Sequence, residues 1–467
     1  MPSTALCWIR RDLRLSDHTA LAEATQFASQ VAVVFVFDTT ILRSLSDKDD
    51  RRVVFIHRSL QELDAKLRAH GSRLIVLNGD PTVEIPQLAA QLGVSTVFCA
   101  RDFEPQAIAR DEAVRRNLGE QGRELVECLD HLIQDPFALL NQSGEPFRVY
   151  TPYSRAWYSA LQEDMLVERT PNLGHLWPAA QLPAETDWSL DRLGFLDNDL
   201  WLDSGEDAAQ RQLANFLPKM AAYTDERDFP ARPATSGLSV HLRFGTISPR
   251  ELMRAARSQL GTLKWQNEIV WREFYAMILA RFPHVVESTF QPAYRELRWP
   301  GEDEAFWAWA EGKTGYPLVD AAMRCLNATG WMHNRLRMVV ASFLTKDLLV
   351  DYRRGEAYFA RKLLDFELAS NNGGWQWAAS TGVDAQPYFR IFNPILQSRK
   401  FDPDGEFIRR WCPELRYFSN QDIHFPADTK LFAQLEAGCG IGTEYPAPII
   451  DHAAQKERAT RLLSLKG

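Results

Sequence analysis

Short apolar runs alternate with amphipathic stretches over the first 130 residues, and this alternation constrains the fold more than any other feature of the chain. The apolar runs are rich in β-branched residues and predict five strands, near residues 5–9, 31–37, 73–77, 95–99 and 124–128. Helical periodicity is clearest over 51–70 and 81–92, and a glycine follows each of these stretches. Strands that alternate with helices pair in parallel, so we expect a five-stranded, doubly wound parallel sheet with helices on both faces. No G-x-G-x-x-G follows the first strand, and a standard dinucleotide site is therefore not indicated.

The rest of the chain has a different pattern. Between residues 135 and 207 prolines recur and periodicity fades, which indicates a surface connector with a short helix or two. After residue 208 the strand signals almost stop, and helical periodicity appears at 208–222, 248–259, 264–281, 316–328 and 333–349. A chain of 467 residues exceeds what one hydrophobic core usually serves. We therefore expect an α/β domain at 1–134, a connector at 135–207 and an all-α domain at 208–467.

Composition and charge narrow the classes of function. The six cysteines are scattered without a C-x-x-C pair, which fits a reducing cytoplasm and argues against a zinc site. We expect no membrane span and no signal peptide, because no apolar run is long enough for either. The net charge of −8 looks wrong for a nucleic-acid binder, but residues 184–207 hold eight acids against one arginine. The remainder is nearly neutral, so binding to nucleic acid is not excluded.

The side chains that could carry chemistry are aromatic, amide and arginine residues. The chain has no H-E-x-x-H, nucleophile elbow or Walker loop, so metal hydrolysis, acyl transfer and nucleotide hydrolysis lack support. In WQNEIVWREFY (265–275), Glu268, Trp271 and Arg272 share one predicted helix face. A surface ion pair is the alternative interpretation, and the two flanking tryptophans argue against it. In WMHNRLRM (331–338), an amide, a cation and a thioether occur together without an acid, which suits a heterocyclic base. We interpret His333 in this stretch as a core histidine.

The segment ATSGLS (234–239) precedes a helical stretch. Small donors at the entrance of a helix can hold a pyrophosphate, and an ordinary N-cap is the alternative interpretation.

Seven stretches together resemble the cryptochrome/photolyase family, and most closely its class I cyclobutane pyrimidine dimer photolyases. They are WIRRDLRLSDHTAL, RDFPARPATSGLS, WREFY, KTGYPLVDAAMR, GWMHNRLRMVVASFLTKDLL, NNGGWQWAAS and YFRIFNP, and the resemblance runs from residue 6 to about residue 450. It implies that the α/β domain carries an antenna chromophore and that the helical domain holds FAD and binds DNA. Reduced FAD, excited by blue light, would give an electron to a pyrimidine dimer flipped out of the duplex, and the cyclobutane ring would split. We expect a monomer that acts on DNA containing such dimers.

The resemblance also assigns roles to individual residues. The FAD phosphate and ribose contacts correspond to Tyr223, Thr235, Ser236, Gly237, Leu238 and Ser239, and the contacts around the flavin and its ribose to Arg272, Asp365, Glu367 and Asn371. The dimer pocket corresponds to Glu268, Trp271, Asn334, Arg335, Met338 and Trp377, with further DNA contacts at Arg227, Trp265 and Gln397. Residues 223–272 carry eight basic groups against five acids, a modest footprint that predicts salt-sensitive binding.

Two positions depart from the pattern of the family. Its electron path from the surface to the flavin uses three tryptophans, of which Trp375 and Trp299 match the inner and outer members. The middle position is Tyr352, and a phenol is harder to oxidise unless it loses its proton, so we expect slow or rerouted photoreduction, with Trp309 as a detour. The stretch DFEL (365–368) replaces the usual D-x-D, so that Glu367 reaches one methylene further than an aspartate would.

For the antenna chromophore that the resemblance implies, we expect a deazaflavin, another flavin or methenyltetrahydrofolate in that order of preference, and an empty site is the remaining alternative. The stretch RDFEPQAIARD (101–111) resembles the deazaflavin-binding subgroup, and Ala107 stands where folate binders carry a glutamate. Candidate antenna contacts are Arg11, Phe35, Asp38, Arg52, Asp102 and Glu104.

A cryptochrome-like photoreceptor that signals through a protein partner is the rival interpretation. Such sensors usually append a long tail and often carry an aspartate near flavin N5, where this chain has Asn371. An amide there favours the fully reduced flavin, and we therefore prefer DNA repair.

Overall fold

The computed structural model describes residues 3–464, and these residues form two compact units. Unit 1 consists of the chain up to Ala221 together with Ser236–Arg281, and unit 2 consists of Ala222–Thr235 and the chain from Phe282 onward. The predicted boundaries at residues 134 and 207 separate segments of different expected function, whereas the two units are groups of segments that pack together. These boundaries stay a prediction. Within residues 3–464, no helix combines the length and the apolar character that crossing a membrane requires.

Unit 1 is built on the five-stranded parallel sheet that the sequence predicts. Its strands are β1 (Thr4–Ile9), β2 (Gln30–Asp38), β3 (Leu74–Gly79), β4 (Thr96–Ala100) and β5 (Glu124–Cys128). They lie in the order β3-β2-β1-β4-β5, and every pairing is parallel. This order places the point where the chain reverses its winding direction at β1 and β4, and ligands of such folds bind at the carboxyl ends of the strands there.

Helices cover the sheet. Those before the connector are α1 (Thr19–Phe27), α2 (Thr39–Ser44), α3 (Arg51–Ala69), α4 (Pro81–Leu92) and α5 (Pro105–Gly119), and α6 (Tyr150–Ala160), α7 (Leu190–Leu193) and α8 (Glu206–Phe216) follow. The predicted bounds of α4 are confirmed, because Asp80 caps its first turn and Gly93 ends it with a left-handed φ of 66°. After the short α9 (Tyr223–Glu226) of unit 2, the chain returns to unit 1 as α10 (Ser239–Phe244), α11 (Pro249–Arg257) and α12 (Leu263–Arg281).

A buried ionic network attaches α11 to the loops around the sheet. The carboxylate of Asp130, just after β5, accepts hydrogen bonds from Arg14 at 2.7 Å and from Arg250 of α11 at 2.9 Å. It also accepts from the backbone N–H of Thr19 at the start of α1. Burial alone would raise the pKa of Asp130, but the charges of Arg14 and Arg250 hold it well below its ordinary value. The network therefore keeps Asp130 ionised and joins four segments of unit 1.

Unit 2 is helical. Its remaining helices are α13 (Asp303–Glu311), α14 (Pro317–Thr329), α15 (Asn334–Ser342), α16 (Tyr352–Lys362), α17 (Leu368–Ala378), α18 (Pro394–Phe401), α19 (Glu406–Trp411), α20 (Leu431–Ala437) and α21 (His452–Ser464). All strands of the sheet precede residue 129, which confirms the expected α/β domain followed by helices. The core of unit 2 gathers apolar side chains of α13 to α17 and α19, with Trp309 and Trp375 among them.

Two helices end earlier than predicted. The stretch 208–222 is α-helical only as far as Phe216, and a 3₁₀ helix, Leu217–Ala222, follows. The periodic stretch 333–349 forms α15 only as far as Ser342, and a single π-helical turn, Phe343–Asp347, follows. The wide turn contains two buried charged side chains, and each has a partner. Lys346 Nζ donates to the carbonyl oxygen of Arg390 at 3.2 Å, and Asp347 Oδ1 lies 2.5 Å from His452 Nδ1 at the start of α21.

We predict that Asp130→Asn lowers the free energy of unfolding by about 3–5 kcal/mol, because it leaves two buried arginines without their counter-charge. Denaturant unfolding monitored by circular dichroism measures the change. Asp199→Asn is the matched control: Asp199 is exposed in the connector, and its substitution should shift stability by less than about 0.5 kcal/mol. Equal unfolding midpoints for the two variants would contradict the role assigned to the network.

Candidate functional site

In unit 2, a buried arginine–carboxylate pair supports the predicted flavin contacts. Asp365 Oδ2 accepts from Arg337 Nη2 of α15 at 2.7 Å. The side chain of Asp365 is only 2% exposed, and its Oδ1 is buried without a hydrogen-bond partner among the described residues. An unpaired buried carboxylate oxygen is costly, so it indicates that a donor from a bound molecule is expected here. Sequence reasoning found Asp365 but missed Arg337, since nothing local separates it from the other arginines of α15.

Asn371 of α17 lies next to open space. Its Nδ2 donates to the carbonyl oxygen of Glu356 at 3.1 Å, and its Oδ1 has no partner within residues 3–464. Three residues further along the helix, a Cβ built on Gly374 would meet nothing within 4 Å, although this glycine is half-buried. A space left free beside an amide is what a flat ring system needs to approach the backbone.

These features fit the FAD that the family resemblance implies. Asp365 offers a carboxylate oxygen to a ribose hydroxyl or a ring N–H, and Asn371 offers an amide oxygen at the open face of α17. Glu367 stands at the N-cap of α17, where its carboxylate accepts from Ser370 Oγ at 3.3 Å. The ribose contact proposed for Glu367 stays a prediction.

The other two amides of NNGGWQW have a different function. Asn372 Nδ2 donates to the carbonyl of Val285 at 2.9 Å and to Glu356 Oε1 at 3.0 Å. Gln376 Nε2 donates to the same Val285 carbonyl, and its Oε1 accepts from the N–H of Phe290 at 2.8 Å. Asn372 and Gln376 therefore hold the 285–290 turn against α17. Burial raises the pKa of Glu356, which lies beside both asparagines, to about 7. This carboxyl therefore takes up a proton near neutral pH. No motif in the sequence pointed to Glu356.

Trp375 lies in an aromatic cluster that includes Trp309. Its ring centroid is 6.0 Å from that of Trp309 and 5.0 Å from that of Phe359. Gly355 of α16 permits this packing, because a Cβ there would lie 2.2 Å from Trp375 Cη2. Within the described residues, Tyr352 makes no ring contact with Trp375, although it is buried nearby in α16.

The three other residues of the electron path differ in burial. Tyr352 is 1% exposed, its hydroxyl has no hydrogen-bond partner in the described part of the chain, and burial raises its pKa well above the ordinary value. Trp309 is fully buried and its indole N–H donates to the carbonyl of Val340 at 3.0 Å. Trp299 is half-buried and packs on the edge of the same core.

On α15, the predicted dimer contacts Asn334, Arg335 and Met338 lie together. Asn334 is the exposed first residue of the helix, and Arg335 Nη1 lies 3.9 Å from Met338 Sδ. The sequence stretch contains no acid, but the fold supplies one, since Arg335 Nη2 pairs with Asp228 at 2.8 Å. The guanidinium is therefore partly neutralised and held in place rather than a bare cation.

His333 and Trp377 border this face. His333 is 2% exposed and caps α15 by accepting from the N–H of Arg335, which confirms its interpretation as a core histidine. Burial lowers its pKa to about 4, so it is neutral at physiological pH. Trp377 is half-buried at the margin of the unit 2 core.

In unit 1, α12 places Glu268, Trp271 and Arg272 as the helical spacing predicts. Trp271 is half-buried, and Tyr150 stacks on it with centroids 3.5 Å apart and planes 5° from parallel. Arg272 Nη1 donates to the carbonyl oxygen of His131 at 2.6 Å. Sequence reasoning missed Tyr150, which begins α6 more than a hundred residues earlier; the aromatic-rich stretch RVYTPYSRAWY was the available signal.

Two further residues of α12 are buried. Trp265 is 4% exposed and packs against Phe216, which favours a core role, and its DNA contact stays a prediction. Glu273 accepts from the backbone N–H of Ile133 and from Trp157 Nε1 at 2.7 Å. Burial raises the pKa of Glu273 to about 7. These bonds attach α12 to the segment that follows β5 and to α6 in the connector.

The segment predicted to hold phosphates contains a left-handed turn that glycine adopts without strain. Gly237 has a left-handed φ of 65°, and a Cβ there would lie 2.9 Å from Gln212 Nε2. Ser236 Oγ accepts from the N–H of Leu238 at 3.4 Å, and no side chain caps α10, which Ser239 begins. The simple N-cap interpretation is therefore not what this turn shows.

Tyr223, Arg227 and Thr235 lie in the short stretch that unit 2 contributes before this turn. The guanidinium of Arg227 lies over the ring of Tyr223, 5.0 Å from its centroid. Thr235 is half-buried.

The basic excess of residues 223–272 is smaller at the surface than the count suggests. Arg250 is 3% exposed and bonded to Asp17 and Asp130, and Arg254 also pairs with Asp17. Arg257 pairs with Glu163. These cations are paired within unit 1, and the salt-sensitive binding expected from the sequence stays a prediction.

Three of the predicted antenna residues lie together at the carboxyl edge of the sheet. Arg11, after β1, has its Nη1 3.0 Å from Glu104 and 3.4 Å from Asp102, which both follow β4. Burial raises the pKa of Asp102, but the charge of Arg11 and neighbouring cations lowers it well below its ordinary value. This acid–base cluster is at the position where the strand order predicts a ligand.

The other antenna candidates have local partners. Phe35 lies in β2, 5.0 Å from Phe37, and Asp38 caps α2. Arg52 pairs with Asp50 at 2.5 Å at the start of α3.

Comparisons with known families cover both units. The family described as "DNA photolyase" matches residues 5–173, and the "FAD binding domain of DNA photolyase" matches residues 265–464. Proteins named deoxyribodipyrimidine photo-lyase are similar over nearly the full length. The Synechococcus protein is 40% identical over 98% of this chain and 96% of its own, and the Vibrio cholerae protein is 39% identical over 98% of each.

Solved structures agree. A bacterial class III photolyase from Agrobacterium tumefaciens superposes with a TM-score of 0.92 at 36% identity, covering 100% of this chain and 98% of its own. A Synechocystis cryptochrome gives 0.90 at 27% identity over 99% of each chain. An archaeal photolyase from Sulfolobus tokodaii, solved with two FAD molecules, gives 0.84 at 33% identity and covers 99% of this chain and 100% of its own. The chain therefore belongs to the DNA photolyase family and contains its FAD-binding domain.

Proposed function

We propose that this protein repairs cyclobutane pyrimidine dimers in DNA, using blue light and reduced FAD. Full-length similarity to several proteins named deoxyribodipyrimidine photo-lyase supports this activity. The observation that carries it in the structure is α17, where Asn371 adjoins the open space at Gly374 and Trp377 follows one turn later. When bound, reduced and photoexcited FAD supplies the electron that opens the cyclobutane ring.

The side chains of unit 2 hold the cofactor and receive part of the lesion. Arg337 fixes Asp365, whose second carboxylate oxygen is left for the cofactor. Asn371 presents its amide oxygen where a sensor would present a carboxylate, which avoids adding negative charge next to a reduced ring. Asn334 offers both a donor and an acceptor to the edge of a thymine, and Trp377 offers a face for stacking.

The side chains of unit 1 act on the DNA. Trp271 is fixed by Tyr150 on one face, so its indole is preorganised for contact with a flipped base. Flipping costs a few kcal/mol, and stacking on an aromatic ring returns roughly 1–3 kcal/mol per base. Glu268 is half-buried, and in its protonated form its carboxyl O–H would donate a hydrogen bond to a dimer carbonyl as negative charge develops there.

We further propose a second, light-harvesting chromophore at the carboxyl edge of the sheet. The cluster of Arg11, Asp102 and Glu104 supports a ligand with polar edges, for which a deazaflavin or a flavin is preferred over methenyltetrahydrofolate. The Sulfolobus tokodaii photolyase was solved with two FAD molecules, which supports a flavin as a candidate antenna chromophore for this protein. We propose that the protein acts as a monomer in the cytoplasm.

The second candidate function is a blue-light receptor, which the similarity to a Synechocystis cryptochrome supports. Illumination of the reduced protein with dimer-containing DNA separates the two. Repair returns the ultraviolet absorbance of separate pyrimidines. If the protein binds this DNA and the absorbance does not recover, the repair activity is excluded and the photoreceptor function remains.

We predict that Glu268→Ala slows repair about 10- to 100-fold at saturating DNA, because a charge-assisted hydrogen bond is worth about 1.5–3 kcal/mol. The rate of absorbance recovery after single light flashes measures the effect. Glu287→Ala, which removes an exposed carboxylate of unit 2, is the control and should repair at the original rate. An unchanged rate in Glu268→Ala would exclude this residue from the chemistry.

We predict that photoreduction of oxidised FAD depends on Trp309 more than on Tyr352. Trp309 contacts Trp375, whereas the hydroxyl of Tyr352 has no hydrogen-bond acceptor among residues 3–464. Under blue light with an external thiol, Trp309→Phe should slow reduction at least several-fold, and Tyr352→Phe should leave its rate nearly unchanged. Transient absorption identifies the oxidised residue, and a tyrosyl signal in the original protein would contradict the prediction.

A further inference from the structure

Gln212 of α8 contacts the backbone of the 235–239 turn, although it is not one of the residues predicted for the cofactor site. Its Nε2 donates to the carbonyl oxygen of Ser236 at 2.6 Å. The two residues are 24 positions apart in the sequence, and both belong to unit 1. A side chain from a separate helix therefore holds the turn that is predicted to contact the FAD phosphates.

This hydrogen bond sets the direction of one peptide group. The carbonyl of Ser236 and the N–H of Gly237 belong to the same planar trans peptide, so they point in opposite directions. Because Gln212 holds the carbonyl toward α8, the N–H of Gly237 points away from that helix. This N–H makes no hydrogen bond within residues 3–464, and it is therefore a donor available to a ligand.

The backbone after this peptide has the shape of an anion site. Gly237 is left-handed, with a φ of 65°, and Leu238 follows with a φ of −84° and a ψ of 0°. Consecutive residues of opposite hand turn their N–H groups toward one side, and the concavity that results binds anions. The N–H of Leu238 has only a long contact of 3.4 Å, with Ser236 Oγ. The phosphates of FAD are the anions that the proposed function brings to this turn.

Without a partner for its carbonyl, this peptide would have a second orientation. Glycine permits both, and the reversed one would turn a carbonyl oxygen toward the phosphates. In the structure, a Cβ on Gly237 would lie 2.9 Å from Gln212 Nε2 and 3.5 Å from Trp201 Cη2, so these two side chains cover one side of the turn. The helix that carries Gln212 is itself fixed, because Leu213 and Phe216 are buried.

We propose that Gln212 is a positioning residue for the FAD phosphates. It holds the Ser236–Gly237 peptide in the orientation that directs the N–H of Gly237 to the pyrophosphate, and this preorganisation reduces the cost of binding. The inference rests on the proposed function, in which FAD is bound with its phosphates at this turn. Gln212 acts through the backbone, so its effect is confined to the phosphates and does not reach the flavin ring.

Gln212→Leu tests the proposal, because leucine has a similar size and cannot donate. Release of FAD from the holoprotein, followed by the rise in flavin fluorescence, should become about 3- to 10-fold faster, as expected for the loss of one hydrogen bond. Phosphorus NMR of the bound FAD should show a shifted phosphate signal, while the absorption spectrum of the flavin stays the same. Gln26→Leu removes an exposed amide of α1 and is the matched control, with release rate and phosphate signals unchanged.

Gln212→Glu is the second variant, and it decides the question alone if Gln212→Leu does not fold. It keeps the size and polarity of the side chain, but an ionised carboxylate cannot donate to a carbonyl, so both changes should recur. Release rates and phosphate signals equal to those of Gln26→Leu would overturn the proposal. So would faster release with a changed flavin spectrum and unshifted phosphate signals, which indicates general loosening of the site. Failure of the original protein to bind FAD would refute the proposed function instead.

Discussion

The carboxylate of Asp130 is the constraint on which the arrangement of unit 1 depends. It lies between Arg14 and Arg250, fully buried, and a charge in that position is tolerated only while both cations face it. Because Arg250 belongs to α11, the network holds the α11–α12 pair in the unit that contains the sheet. The helix that carries Trp271 is thereby positioned by loops at the end of the sheet, and Glu273 adds a second attachment through the connector.

The unusual composition of NNGGWQW follows from the two faces of one helix. Asn371, Gly374 and Trp375 are spaced by three and four residues, so they share a face that is open beside the glycine. Asn372 and Gln376, also four apart, share the neighbouring face and satisfy the backbone of the 285–290 turn. Aliphatic side chains would meet neither requirement, since the first face needs an unobstructed backbone and a polar atom and the second needs donors and acceptors.

Local periodicity was sufficient to predict the strands and helices, because their patterns depend on residues that are close together in the sequence. The bounds of α4 and β5 agree with the prediction, and α15 differs only where a π-helical turn takes over. Motifs likewise located Asp365 and Asn371. The partners that give these residues their properties were not predictable in this way: Tyr150 on Trp271 and Asp228 on Arg335 are each separated by more than a hundred residues of sequence. Spacing along the chain contains no information on such pairs, which only the packed structure brings into contact.

Repair and photoreduction place different requirements on the tyrosine in the electron path. Repair needs a flavin that is already reduced, so it places no demand on residue 352, whereas light-driven reduction demands an oxidisable side chain with an exit for its proton. Burial raises the pKa of Tyr352 and leaves its hydroxyl without an acceptor in the described residues, so its ring serves packing at the start of α16. Trp309 can be oxidised without losing a proton, and its ring packs against Trp375. A chain that keeps Trp309 beside Trp375 can therefore have a tyrosine at the middle position and still transfer electrons to the flavin. The substitution affects photoreduction rather than repair.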